Sequence, residues 1–90
     1  MFKTVDLLDR LKAAYNLPSD YATAKKIGVT RQAISNYRTN GTTLDDSVAV
    51  EVAELLELEP FKVLAYMNLE RAQRANNKKL IHLWQSYTHS

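Results

Sequence analysis

The chain has 90 residues, 46% of them hydrophobic and 24% charged, the size and make-up of one compact folded domain rather than two domains or a disordered tail. It contains no cysteine, two glycines and two prolines, which excludes disulfides, thiolate nucleophiles and Cys-built zinc or iron–sulfur sites, leaves too little glycine for a phosphate-cradling loop or a set of hairpins, and suits a reducing cytoplasm. The net charge of +2 hides a division: residues 1–41 carry seven Lys/Arg against three Asp/Glu, residues 42–61 none against six, and residues 62–90 five against one, so the amino-terminal half is where a polyanion would be met.

Apolar spacing and end signals predict an all-α chain of five to six helices. Behind Thr4 as N-cap, Val5, Leu7, Leu8, Leu11, Ala14 and Tyr15 recur at helical intervals to about Asn16, where Leu17-Pro18 ends the first helix. Ser19 caps a short second helix with Asp20 in its first turn and Tyr21, Ala24 and Ile27 facing inward; Gly28 supplies a left-handed stop. Thr30 caps a third helix from Arg31 to about Thr39, with Ala33, Ile34 and Tyr37 on one side and Asn40-Gly41 at its end. A fourth, acidic helix starts at Asp45 or Asp46 and runs to about Glu57, Val48, Val52, Leu55 and Leu56 inside and Glu51, Glu54 and Glu57 outside. Pro60 suits the first turn of a fifth helix, in which Phe61, Leu64, Ala65, Met67 and Leu69 supply apolar surface to about Ala75. Asn76-Asn77 breaks the chain before a last helix, Lys78 to Tyr87, with Leu80, Ile81, Leu83, Trp84 and Tyr87. The first residues, Met1 to Lys12, carry Asp6 and Asp9 within no continuous apolar run, and no later stretch approaches a membrane span, so neither a signal peptide nor a membrane segment is expected.

The most informative stretch runs from Ser19 to Arg38. Two short helices joined by a turn of about three residues must cross closely, and each spacing has a steric reason. Ala24 is small enough for the second helix to approach, Gly28 makes the turn, Val29 covers it, and Ile34 and Tyr37 pin the second helix to the core, with Ile27 in the same register. These positions match a helix-turn-helix. With Ile34 and Tyr37 turned inward, Arg31, Gln32, Ser35, Asn36 and Arg38 point away from the core as donors and acceptors. In a major groove, Gln32 can pair bidentately with adenine, Arg31 with guanine, and Ala33 can touch a thymine methyl, while Ser35 and Asn36 read neighbouring bases or bind phosphate.

This segment resembles the helix-turn-helix of the Cro and phage-repressor family, and the likeness extends from about Thr4 to Leu58, which divides the domain into a DNA-binding core (1–58) and a helical extension (59–90) that serves dimerisation. The resemblance implies a lambda-repressor-like all-α fold that binds double-stranded operator DNA as a homodimer and inserts its third helix in the major groove. It puts base contacts mainly on Arg31, Gln32, Ala33 and Asn36, and phosphate contacts on Ser19, Asp20, Arg38, Asn40, Gly41 and Thr42, with Thr30 counted among them. Many relatives have glutamine where this chain has Asp20, whose carboxylate would repel phosphate although its backbone N–H can donate. Lys25 and Lys26 lie on the outer side of the second helix, either reaching the DNA backbone at longer range or forming a plain solvated face. The last third, with Pro60 before an apolar helix and Glu70-Arg71-Ala72, looks like small repressors of filamentous phages and mobile elements.

Simpler readings cover the rest. Trp84 and Tyr87 stand at helical spacing and read as core or interface residues, and the acids of the fourth helix as caps and solubilising charges. His82 and His89 are seven apart without a third ligand and read as solvent-facing, so no metal is expected. No nucleophile, base and orienting acid assemble, and neither catalysis, a cofactor nor a small-molecule substrate is expected. The apolar fifth and sixth helices point to a homodimer. The expected function is therefore a sequence-specific transcriptional regulator, a phage or mobile-element repressor on an inverted repeat. The competing class is a protein-interaction module, an antitoxin or anti-repressor, which co-purification of a second chain without DNA would favour.

Overall fold

The computed structural model describes residues 2–88 as six helices: α1 (Thr4–Ala14), α2 (Asp20–Ile27), α3 (Arg31–Thr39), α4 (Asp46–Leu55), α5 (Pro60–Arg74) and α6 (Lys78–Thr88). Side-chain caps fix most of the starts. Ser19 Oγ accepts from Ala22 N, Thr30 Oγ1 from Ala33 N, and Asp45 Oδ1 from Val48 N, at 3.1, 3.0 and 2.9 Å. Pro60 occupies the first turn of α5 behind Glu59, whose carboxylate accepts from Phe61 N and Lys62 N. Asn77 caps α6 through Leu80 N. Gly28 closes α2 at φ 74, the left-handed stop its position required.

The start of α1 differs from the sequence expectation. Lys3, not Thr4, is the N-cap, with Asp6 Oδ2 accepting from Lys3 N at 2.9 Å. Thr4 lies fully buried in the first turn, and its backbone N–H and its hydroxyl both donate to Glu70 Oε1, at 2.9 and 2.8 Å. A carboxylate from α5 thus does for α1 what a local cap does elsewhere, satisfying orphan donors at the helix start.

One hydrophobic cluster joins all helices but α6. Leu7, Leu8 and Leu11 of α1 meet Ala24 and Ile27 of α2, Ile34 and Tyr37 of α3, Ala49, Val52 and Ala53 of α4, and Val63, Tyr66 and Met67 of α5. Two inward assignments change. Tyr21 is 43% exposed, and Thr23 takes the buried place instead, its hydroxyl satisfied by donating to Ser19 O. Phe61 is 79% exposed, and Val63 and Tyr66 carry the inward face of α5. Helix α6 packs chiefly on α5 and has no buried residue. No helix among the described residues is long and apolar enough to cross a membrane.

Candidate nucleic-acid interface

Helix α3 is two-faced. Ile34 and Tyr37 are buried, with Ala33 packed on the edge of the core, while Arg31, Gln32 and Ser35 are exposed and Asn36 is half-buried. Burial first, and then the Asp45 carboxylate, push the Tyr37 phenol above its ordinary value and keep it neutral. Along the outer edge runs an i, i+4, i+8 row: Gln32 Nε2 donates to Asn36 Oδ1 at 3.2 Å, and Asn40 Nδ2 donates to the same oxygen at 2.8 Å. These bonds hold the side chains in place yet leave Gln32 Oε1 and Asn36 Nδ2 without a partner among the described residues, an acceptor and a donor of the kind base edges require. Ser35 Oγ stays at the surface while its carbonyl accepts from Thr39.

The start of α2 lies alongside α3, since adjacent residues reach its two ends. The Arg31 guanidinium carbon sits 4.5 Å from the Tyr21 ring centroid. At the other end Arg38 donates to both Asp20 oxygens, at 3.0 and 3.2 Å, and to Asp9 Oδ1 at 2.7 Å, with Lys12 3.4 Å from Asp20. This four-residue cluster ties α1, α2 and α3 together and has no net charge. Burial pushes the Asp20 carboxyl up, but the Arg38 hydrogen bond and charge, helped by Lys12, outweigh it and hold Asp20 below its ordinary value. The Asp9 hydrogen bond, against partial burial and with Asp20 in support, holds Arg38 above the ordinary guanidinium value. The acid in place of glutamine at Asp20 therefore stands compensated by two cations. Among the described residues Arg38 Nη1 has no protein partner.

The loop after α3 is the third part. Asn40 ends the helix, Gly41 adopts φ 68, and Thr42 N reaches back to Asn36 O at 3.4 Å. Two arginines of α5 hold this loop from behind. Arg74 Nη2 donates to Asn40 O at 3.1 Å, and Arg71 donates through Nε to Thr43 Oγ1 at 2.7 Å and through Nη2 to Leu44 O. Ser19 and Thr30 use their hydroxyl oxygens as cap acceptors, so both O–H groups remain able to donate. The candidate residues of α2, α3 and the following loop thus form one continuous arrangement, in which Asp20 and Arg38 face each other.

Sequence reasoning missed Tyr21, Arg71 and Arg74 as parts of it. For the arginines a signal existed: they stand three apart on α5 and so share a face. No group of three or more potential metal ligands occurs among the described residues; His82 is exposed, and His89 lies outside them.

Comparison with known proteins agrees with this geometry. Residues 19–63 match the family described as helix-turn-helix, from the cap of α2 into the first turn of α5. Over 82 residues the chain is 30% identical to the protein Gp-c of Pseudoalteromonas phage PM2, itself uncharacterised, covering 90% of this chain and 89% of that one. No solved structure matches. With its turn at Gly28, a second helix polar on its outer face and half its length inside the matched region, the chain belongs to the helix-turn-helix family, a family of DNA-binding regulators rather than of enzymes.

Proposed function

We propose that the protein is a sequence-specific transcriptional repressor of a phage or mobile element, binding an inverted-repeat operator in double-stranded DNA as a homodimer in the cytoplasm. The observation that carries this reading is the outer face of α3, where Arg31, Gln32 and Ser35 are exposed and Asn36 is held through Oδ1 by its neighbours, which leaves its Nδ2 to donate. With α3 in the major groove, Arg31, Gln32, Ala33, Ser35 and Asn36 meet base edges. Ser19, the backbone N–H of Asp20, Thr30, Arg38, Asn40, Gly41 and Thr42 meet phosphates on either side. The phage origin of the relative supports the setting. Occupying promoter DNA suffices for repression.

Pairing is assigned to residues 59–90. Phe61 is 79% exposed and, with Leu83, Trp84 and Tyr87, lines an apolar groove of about 630 Å³ between α5 and α6. Asp46, Glu59 and Lys62 also line it, so a second copy meets apolar surface flanked by charges of both signs. In such a dimer the two copies of α3 lie about 34 Å apart, one helical turn of DNA. Selection of bound duplexes from a random pool tests the whole reading. An enriched palindrome with half-sites about one turn apart is expected, and recovery of unenriched sequence refutes it. Leu83→Glu, on a side chain outside the core, should shift the sedimenting species to monomer; an unchanged dimer moves the interface elsewhere.

A further inference from the structure

We propose that Tyr21 is a positioning residue for base recognition: its ring holds the Arg31 guanidinium over its face, so that the arginine presents N–H groups to one guanine of the operator. The inference rests on the DNA-binding reading above and adds to it a residue outside the recognition helix that sets specificity within it. Tyr21 has no structural duty to explain its place. It is 43% exposed, lies outside the hydrophobic core, and its hydroxyl has no hydrogen-bond partner among the described residues. What its ring does touch is cationic: Arg31 Cζ at 4.5 Å and Lys25 Nζ at 5.3 Å from the centroid. Both fall within the range at which a cation is drawn to an aromatic face.

The two arginines of α3 differ in how they are held. Arg38 is held by Asp9 and Asp20 through Nε and Nη2. Arg31 has no carboxylate within ion-pair distance among the described residues, and its only partner is the Tyr21 face. Stacking uses the π-surface of a guanidinium and leaves its in-plane N–H groups free. Those are the groups that pair bidentately with guanine O6 and N7. An arginine on an open surface samples many rotamers and loses them on binding; one already stacked has less to lose. The benefit appears only where a guanine is present to order Arg31, so it enters as discrimination at one base pair rather than as general affinity.

The test is a double-mutant cycle read on DNA. Binding of the full chain and of Y21F, Y21A, R31A and Y21A/R31A is titrated on the selected operator, on operators substituted singly at each base pair, and on random duplex. R31A identifies the guanine as the position where preference disappears. Y21A is expected to lower the preference at that position by about two- to tenfold, Y21F to keep it, and Y21A to add nothing in the R31A background. Random-duplex affinity should stay unchanged, and the thermal midpoint should fall by no more than the loss of an exposed cation–π contact implies. The inference is overturned if Y21A keeps the guanine preference, if it weakens all positions and random duplex alike, or if its effect persists unchanged without Arg31. A parent chain that selects no sequence would refute DNA recognition itself and this inference with it, whereas a parent that selects an operator indifferent to Y21A refutes only the role of Tyr21.

Discussion

Replacing Glu70 tests the idea that α5 caps α1. One carboxylate oxygen accepts from both Thr4 N and Thr4 Oγ1, at 2.9 and 2.8 Å, and Thr4 is fully buried, with only the weakly accepting Met67 sulfur, 3.4 Å from its hydroxyl, as alternative. A hydrogen bond to a charged group contributes about 1.5–3 kcal/mol net, and a buried donor without a partner costs about 1–3 kcal/mol. The two bonds share one acceptor and Glu70 is itself only half-buried, so water can enter and the losses do not add in full. Glu70→Ala should therefore destabilise by roughly 2–4 kcal/mol, a fall in thermal midpoint of roughly 8–30 °C for a domain of this size. Glu70→Gln keeps an accepting oxygen and should lose only the charge-assisted part, about 1 kcal/mol. Urea melts followed by circular dichroism read both, with unchanged slope as the check that the denatured state is the same. A Glu70→Ala loss under about 0.5 kcal/mol, or a glutamine as costly as alanine, would refute the capping argument.

Three further outcomes follow from the site and its supports. Asp20 has a folded-state pKa below its ordinary value, so its contribution is fully present above the unfolded carboxylate value and is lost as pH falls through the lower, folded one. Asp20→Asn should flatten that part of the pH–stability profile by less than about 1 kcal/mol, since the pair is partly solvated; parallel profiles would deny the ion pair its role. Gln32→Ala should cost about 1–3 kcal/mol on the selected operator and little on random duplex, and equal losses on both would remove it from base reading. Glu57 follows the C-cap Leu56 of α4 at φ 56, where a side chain is strained by about 1–2 kcal/mol and glycine gives back about 0.5–1 in the unfolded chain. Glu57→Gly should raise the urea midpoint by the equivalent of about 0.5–1 kcal/mol, and a lower midpoint would contradict the strain.

The helices and their order were legible because their ends are written locally. Ser19, Thr30 and Asp45 each bond a backbone N–H three residues on, and Gly28 and Pro60 sit where their backbones demand. The outer face of α3 was legible for the same reason, once Ile34 and Tyr37 fixed its inner one. Tyr21 was misplaced because α2 has only eight residues; two turns of helix leave an aromatic at the edge of the apolar face undecided, and a cation on the next helix decided it. Thr4 was misplaced because its true partner lies 66 residues away. No local pattern carries that contact, nor the grip of Arg71 and Arg74 on the loop after α3, because both depend on how α5 docks. Asp20 illustrates the converse case: an unfavourable charge in isolation becomes intelligible only beside Arg38 and Lys12.

The reach of α5 back to α1 also sets an order of events during synthesis. Leu7, Leu8 and Leu11 emerge first, yet their cover includes Val63 and Met67, and the first turn of their helix awaits Glu70. Between the end of α1 and Glu70 a ribosome adding about 5–20 residues per second works for roughly 3–11 s, and for that time the amino-terminal leucines are shielded only by a partial set of neighbours. Helix α3 is made in that interval, but the loop that follows it is not yet held by Arg71 and Arg74. The loop after α3 therefore gains its final support late, when α5 closes the core.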